Sequence, residues 1–357
     1  MKKLIIKTDC KYFRGDIPCS PHKILGVKCE NCREYHAAEE IILIIKLGAI
    51  GDVIRTTPLL RKIRSIYPTA YIFWLTYTPE IISQDWVERP LNVSIENIEF
   101  LKNMKFDILY NLDKDPLAIA LANSIHAVKK VGFTIDKYGH AIPIGSEAEY
   151  HKWLTGLFDD LNKSNTKNYM EEIFEISGFN FEGEEYILEI PTTKYAFDID
   201  KSKKVIGLNT GCGGRWTSRL WPVFHWEKLI TLLLNAGYEV ILLGGEQEHE
   251  KNSQLQMSSG AKYFGYFPLR DFMVLMSNCD LIVSAVSMSM HLALGLGKKL
   301  ILFNNIFNKN EFYLYNRGEI LEPDIMCDCY YTPSCPNNCM KYLVPNSVFT
   351  AIEKWIK

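Results

Sequence analysis

The chain has 357 residues, 40 basic and 42 acidic side chains, and a hydrophobic fraction of 47%. That composition excludes a disordered or fibrous polymer, and a net charge of −2 excludes a general nucleic-acid binder, which needs an excess of positive charge. With no run of roughly 18 apolar residues, and too short an apolar start from Met1 to Lys7 for a secretory signal, the expected setting is cytoplasmic.

In chain order, residues 1–38 form a cysteine-bearing preface with little periodicity. The continuous apolar run from Ile41 to Lys46 predicts a strand covered on both faces, as in a parallel sheet. A turn, Gly48-Ala49-Ile50-Gly51-Asp52, leads into a helix over Val53–Ile66 with Pro58 early in it. Tyr71–Thr76 and Phe106–Asn111 read as the next strands, residues 139–183 carry helical spacing, and 191–204 reads as a linker. A second unit follows, with strands at Val205–Asn209, Glu239–Leu243, Leu281–Ser284 and Lys299–Asn304. Helices at Phe224–Asn235, Leu269–Ser277 and Met290–Leu296 alternate with them, and a helix over Val348–Ile356 closes the chain. The class is α/β, with expected boundaries at 1–38, 39–195, 196–322 and 323–357.

The first glycine turn sits between a strand and a helix. Gly48 and Gly51 let the backbone approach a ligand closely, and a helix start offers free N–H groups. The turn is neither a Gly-x-Gly-x-x-Gly fingerprint nor a phosphate loop ending in Lys-Ser/Thr. Asp52 has two readings that are compatible: a cap on the helix start, or a general base that takes a proton from an acceptor hydroxyl.

The run from Ile44 to Leu60, Ile-Ile-Lys-Leu-Gly-Ala-Ile-Gly-Asp-Val-Ile-Arg-Thr-Thr-Pro-Leu-Leu, resembles the start of glycosyltransferase family 9, the heptosyltransferases of lipopolysaccharide core assembly. Three further segments are similar to that family, in its order: Arg219-Leu220-Trp221-Pro222 with Trp226 and Leu229; Leu242 to Glu248; and Cys279 to Ser284 followed by Met290-His291-Leu292-Ala293. The resemblance implies a GT-B fold, two Rossmann-like domains facing a cleft, the first on the acceptor side and the second binding the nucleotide sugar. It implies inverting transfer from a nucleoside diphosphate donor (ADP-heptose or related) to a lipid-linked or glycan acceptor, without a catalytic metal. It also implies Asp52 as the base, Arg219 at the donor diphosphate and Glu248 at the nucleotide ribose. The chemistry is coherent, because an inverting transfer needs one carboxylate for the incoming hydroxyl and positive charge for the departing diphosphate. Arginine's planar fork suits phosphate. Arg215 is a second candidate, beside a small-residue loop of Thr210, Gly211, Gly213 and Gly214; a solvated surface loop is the plainer alternative for this stretch, and a wet acidic run for Glu248.

The chain departs from the family pattern at Ala285-Val286-Ser287-Met288-Ser289, where the family carries Asn-Asp-Ser/Thr-Gly. Valine accepts no hydrogen bond and methionine fills space that glycine leaves open, so the donor is not a heptose or other groups read its hydroxyls. Ser287, Ser289 and His291 are the remaining polar candidates, His291 alternatively being bonded to backbone at a helix start. Asn304, Asn305, Asn308 and Asn310 read either as turn residues or as the lining of a sugar pocket.

Eight of ten cysteines cluster, as Cys10, Cys19, Cys29 and Cys32 and as Cys327, Cys329, Cys335 and Cys339. In a chain read as cytoplasmic this points to metal rather than disulfides. Four thiolates close a tetrahedral site at roughly 2.3 Å per zinc–sulfur bond and leave no open position, so a structural zinc or iron is expected; the two sets can also share ligands. Two other functions stay open: a GT-B nucleotide-sugar epimerase or hydrolase, and a metal-stapled non-catalytic binding module, which Val286 and Met288 keep in play. Trp74, Trp86 and Trp153, with basic neighbours, are candidates for peripheral contact at the inner face of the cytoplasmic membrane.

Overall fold

The computed structural model describes residues 4–357. The chain divides into two compact units. One holds the described residues up to Gly48 with Leu59–Tyr150 and Ile176–Phe179; the other holds Ala49–Pro58, His151–Glu175 and Asn180–Lys357.

The first unit is built on six strands: β1 (Ile41–Ile45), β2 (Tyr71–Thr76), β3 (Arg89–Asn92), β4 (Lys105–Asn111), β5 (His126–Ile135) and β6 (Ala141–Pro143). Their order is β3-β2-β1-β4-β5-β6, parallel except for the antiparallel β5–β6 pair. A parallel sheet covered on both faces calls for unbroken apolar strands. β1 supplies one: Ile42, Leu43, Ile44 and Ile45 are fully buried. The second unit carries β7 (Val205–Asn209), β8 (Glu239–Leu243), β9 (Leu281–Ala285), β10 (Lys299–Phe303) and β11 (Gly318–Leu321), all parallel, in the order β11-β10-β9-β7-β8. Its core packs Trp221, Trp226 and Phe303 against the helices Val223–Asn235 and Pro345–Ile356.

The single helix expected over Val53–Ile66 is two helices, Ile50–Ile54 and Leu59–Ile66. Pro58 has no N–H and disfavours helical backbone at the residue before it. Thr56 and Thr57 fill the break: their hydroxyls donate to the carbonyls of Asp52 and Ile54, both at 2.7 Å. A helix over Pro116–Ser124, beyond the expected elements, has a marked start, with Asp115 as a cap accepting from the Leu117 N–H at 2.9 Å and Pro116 at the first position.

The membrane reading of Trp74 is corrected, since its ring is fully buried within β2, while Trp86 and Trp153 are half-buried. Among the described residues no helix is long and apolar enough to cross a membrane.

Gly132 shows how tightly β4 and β5 meet. It pairs with Asn111, has φ of +103°, and a Cβ there would lie 1.9 Å from the Asn111 carbonyl oxygen. Its N–H donates to the buried Glu149 carboxylate at 2.7 Å. Gly132→Ala is therefore expected to cost about 2 kcal/mol or more, read as a lower urea midpoint with an unchanged slope.

Candidate active site

In an open α/β sheet, ligands bind beyond the carboxyl ends of the strands where the strand order reverses. In the second unit that point lies between β7 and β9. Two cavities open there. One, of about 490 Å³, is lined by Asn209 at the end of β7 and Gly211 beyond it, Gly244 to Glu248 after β8, and Ser287, Met288 and Ser289 after β9. The Glu248 carboxylate accepts from the Gly245 N–H at 2.9 Å. It lies so close over Gly211 that a Cβ there would meet Oε1 at 2.0 Å. A carboxylate held at a strand end in this way suits the paired hydroxyls of a ribose. Lys251 donates to the Thr210 carbonyl at 2.8 Å, and burial pulls its pKa down against the opposing pull of Glu248.

The second cavity, of about 480 Å³, shares Ile50, Cys212, Ser287 and Met288 with the first and adds Asp52, Arg55, Arg215, Arg219, His291 and Glu311 among aromatic walls. Asp52 Oδ1 pairs with Arg55 at 2.7 Å, and Oδ2 accepts from the Ala49 N–H at 3.2 Å. Asp52 is thus both a lid on the first helical turn and a carboxylate open to the cavity, its side chain 32% exposed. Arg55 reaches Glu311 at 3.2 Å and lies 3.5 Å from the centre of the Tyr169 ring. Burial alone would weaken its charge, but Asp52, Tyr169 and Glu311 outweigh that and raise its pKa.

Arg219 closes the other side. It is buried, its guanidinium donating to the carbonyls of Val286, Cys212 (2.9 Å) and Trp216 (3.3 Å). Burial lowers its pKa, with Cys212 opposing. Three of its five N–H groups are therefore fixed on backbone, and the fork is held rigidly at the cavity wall. Arg215 is exposed and lines the same space. His291 is bonded to a side chain rather than to backbone, Nδ1 lying 3.2 Å from the Tyr186 hydroxyl. Burial first, then Arg55, drives its pKa down to about 3 against the pull of Asp52, so the ring is neutral at pH 7. Gly51 lets this ring approach, since a Cβ there would sit 2.6 Å from His291 Cδ2.

Of the residues singled out in the sequence, Gly51, Asp52, Arg215, Arg219, Ser287 and His291 line the second cavity, and Glu248, Ser287 and Ser289 the first. Gly48 and Thr210 line neither. The Gly48 N–H points to Asp113 at 3.5 Å, and the Thr210 hydroxyl donates to Asn252 at 2.6 Å. Arg55 and Glu311 also line the second cavity and are not among the residues expected there. Arg55 had a signal, standing three residues after Asp52 where helical side chains meet; Glu311 had none. Asn308 caps the turn Lys309–Glu311, Asn304 donates to the Phe307 carbonyl at 2.8 Å, and Asn305 reaches the Ser218 carbonyl at 2.8 Å.

Cys327, Cys329, Cys335 and Cys339 bring their sulfurs within 4.8 Å of one another, with Cys327–Cys335 at 3.5 Å and Cys329–Cys339 at 3.6 Å. A tetrahedron of sulfurs about 2.3 Å from a central ion has edges of about 3.8 Å, so this donor set fits one ion. Asn305 donates to the Cys339 sulfur at 3.3 Å, and the Cys339 N–H to that of Cys335 at 3.5 Å. Burial pushes the Cys335 thiol up, but that N–H and the neighbouring thiols outweigh it and bring it down to about 7. Cys10, Cys19, Cys29 and Cys32 line a cavity of about 270 Å³ in the first unit; among the described residues their sulfurs form no comparable group.

Comparison with known proteins agrees with this fold. The family model described as glycosyltransferase family 9 (heptosyltransferase) matches residues 97–309. Lipopolysaccharide heptosyltransferase 2 of Salmonella typhimurium is 28% identical over 112 residues. That stretch covers 29% of this chain and 32% of the relative, so the match spans about a third of that protein's length. A glycosyl transferase family 9 structure from Veillonella parvula superposes with a TM-score of 0.67 at 16% identity, covering 89% of this chain and 97% of that one. The iron-containing dodecameric heptosyltransferase TibC of enterotoxigenic E. coli, in complex with ADP-D-β-D-heptose, gives 0.55 at 11% identity, covering 90% and 78%. Together with the strand orders these establish the GT-B class, two Rossmann-like units with cysteine-rich segments near both ends.

Because the folded His291 titrates near 3 and the unfolded residue near 6.5, the unfolded chain alone takes up this proton as pH falls between those values. Stability contributed by a neutral His291 is present above about 6.5 and drops by up to about 1.4 kcal/mol per pH unit below it. Urea midpoints at pH 7 and pH 5 should converge in His291→Asn relative to the unmodified chain.

Proposed function

This chain belongs to glycosyltransferase family 9, and from that membership we propose that it is an inverting glycosyltransferase. It moves a sugar, a heptose or a related one, from a nucleoside diphosphate donor to a lipid-linked or cell-surface glycan acceptor, with Asp52 as general base. One observation carries the reading: the Asp52 carboxylate and the Arg219 guanidinium line the same cavity, at the strand-order reversal of the second sheet. The complex of TibC with ADP-D-β-D-heptose supports an ADP-sugar donor.

The nucleotide is assigned to the Glu248 cavity, with the ribose hydroxyls donating to that carboxylate. The diphosphate then falls toward the shared wall of the two cavities, where Arg219 and Arg215 offset its charge. Stabilising the leaving group in this way lowers the barrier because charge develops there as the glycosidic bond to phosphate breaks. The incoming hydroxyl gives its proton to Asp52 as its oxygen attacks the anomeric carbon from the face opposite the diphosphate, which inverts the centre. Arg55 pairs with Oδ1 and the Ala49 N–H donates to Oδ2, which fixes the carboxylate on the first helical turn at the cavity wall. Neutral His291 cannot contribute charge and positions the helix that carries Met288. The apolar faces of Val286 and Met288 leave Ser287 and Glu311 as the polar groups nearest a bound sugar. The Cys327–Cys339 set is assigned to a structural zinc or iron, a reading that the iron in TibC supports.

Asp52→Asn should lower transfer by about a thousandfold or more while leaving ADP affinity within about threefold. Arg219→Ala should weaken ADP binding by about ten- to a hundredfold. Kinetics with an ADP-sugar panel and calorimetry with ADP read both effects; full turnover in Asp52→Asn would remove it as the base.

A further inference from the structure

The segment 327–339 contains no strand and no helix beyond the turn that starts at its last residue. Its shape comes from tertiary contacts: the four sulfurs converge, and Tyr331 packs against Trp216 and Phe307. The same segment grips the turn Thr217–Arg219. The Ser218 N–H donates to the Pro333 carbonyl at 3.0 Å. The Ser218 hydroxyl donates to the Thr332 carbonyl at 2.8 Å, and the Thr217 hydroxyl to that of Pro333 at 3.2 Å. Asn305 joins turn and cage directly, one amide nitrogen donating to the Ser218 carbonyl at 2.8 Å and to the Cys339 sulfur at 3.3 Å. Trp216 and Phe307 pack against the buried thiols, and Phe307 faces the Arg219 guanidinium at 5.6 Å.

We propose that the four-thiolate centre of Cys327, Cys329, Cys335 and Cys339 is a brace for the Arg219 turn, so that metal occupancy sets the affinity for a nucleoside diphosphate. The ion itself lies outside the sugar-transfer chemistry. Its effect passes through the Thr332–Pro333 carbonyls and Asn305 to Ser218, and from Ser218 to the neighbouring guanidinium. Without an ion, four close-packed thiols lose their cross-link and those two carbonyls lose their fixed positions. The Thr217–Arg219 turn then loses its anchors on that segment, and a ligand must supply the ordering free energy. Metal binding to this segment and nucleotide binding at the cavity are thereby thermodynamically linked.

This inference rests on the reading of Arg219 as a diphosphate contact, and the test separates the two. Zinc-loaded protein, chelator-stripped protein and stripped protein resupplied with zinc are compared by elemental analysis and by calorimetry with ADP. The zinc-loaded chain should hold about one ion on the second-unit cysteines and bind ADP. Stripping should weaken ADP binding at least tenfold, and zinc should restore it. Because stripping can also unfold the chain, the double variant Ser218→Ala, Asn305→Ala provides a second arm, expected to retain zinc yet bind ADP at least tenfold more weakly. The brace is overturned if the chain holds no ion, if stripped and loaded protein bind ADP alike, or if the double variant keeps full affinity. If loaded protein binds ADP equally well with Arg219→Ala, the diphosphate reading falls first and the brace with it.

Discussion

The Arg55 guanidinium stands 2.7 Å from Asp52 and 3.2 Å from Glu311, and 3.5 Å from the centre of the Tyr169 ring. Two carboxylates 259 positions apart in the chain thus share one buried cation. Removing the cation would leave both acids in the same cavity without the charge that links them. The arrangement explains why Ala49–Pro58 belongs with the second unit, although Gly48 immediately before it belongs with the first. Thr56 and Thr57 add to the attachment, reaching the Tyr169 hydroxyl at 3.3 Å and accepting from the Ile187 N–H at 2.9 Å.

Beside this ion chain two buried ring groups stay uncharged. His291 stays uncharged beside Arg55 because burial outweighs the pull of Asp52. Tyr186 is held protonated mainly by burial. The Arg55 cation is therefore matched by the acids Asp52 and Glu311 rather than by these rings. The small residues follow the same logic. Gly51 and Gly211 are glycines because a methyl group at either would strike His291 or Glu248, so ring and carboxylate reach their places only over a bare backbone.

Much of this was legible in the chain. The apolar run of β1 and the strand-turn-helix grammar of the second unit gave the α/β class, and the segments around Asp52, Arg219 and Glu248 gave the family. Less legible were features set by tertiary contact. The break at Pro58 needed the Thr hydroxyls to stabilise it, and β5 carries Lys129 and Lys130 in the middle of its run, which hides its periodicity. Glu311 is a ligand of Arg55 only because the fold returns there, a fact no local pattern encodes. The cysteine spacing announced both clusters equally. Folding separates them, bringing the sulfurs of the later set together while the earlier set lines a wider cavity.

The central claim is that the Asp52 carboxylate and the Arg219 guanidinium serve one bound donor. A crystal structure of the chain with an unreactive ADP-sugar analogue tests it most directly. The account predicts the diphosphate within hydrogen-bonding reach of Arg219, the ribose on Glu248, and the anomeric carbon opening toward Asp52. A donor bound with its phosphates away from Arg219, or with Asp52 turned from the sugar, would contradict it.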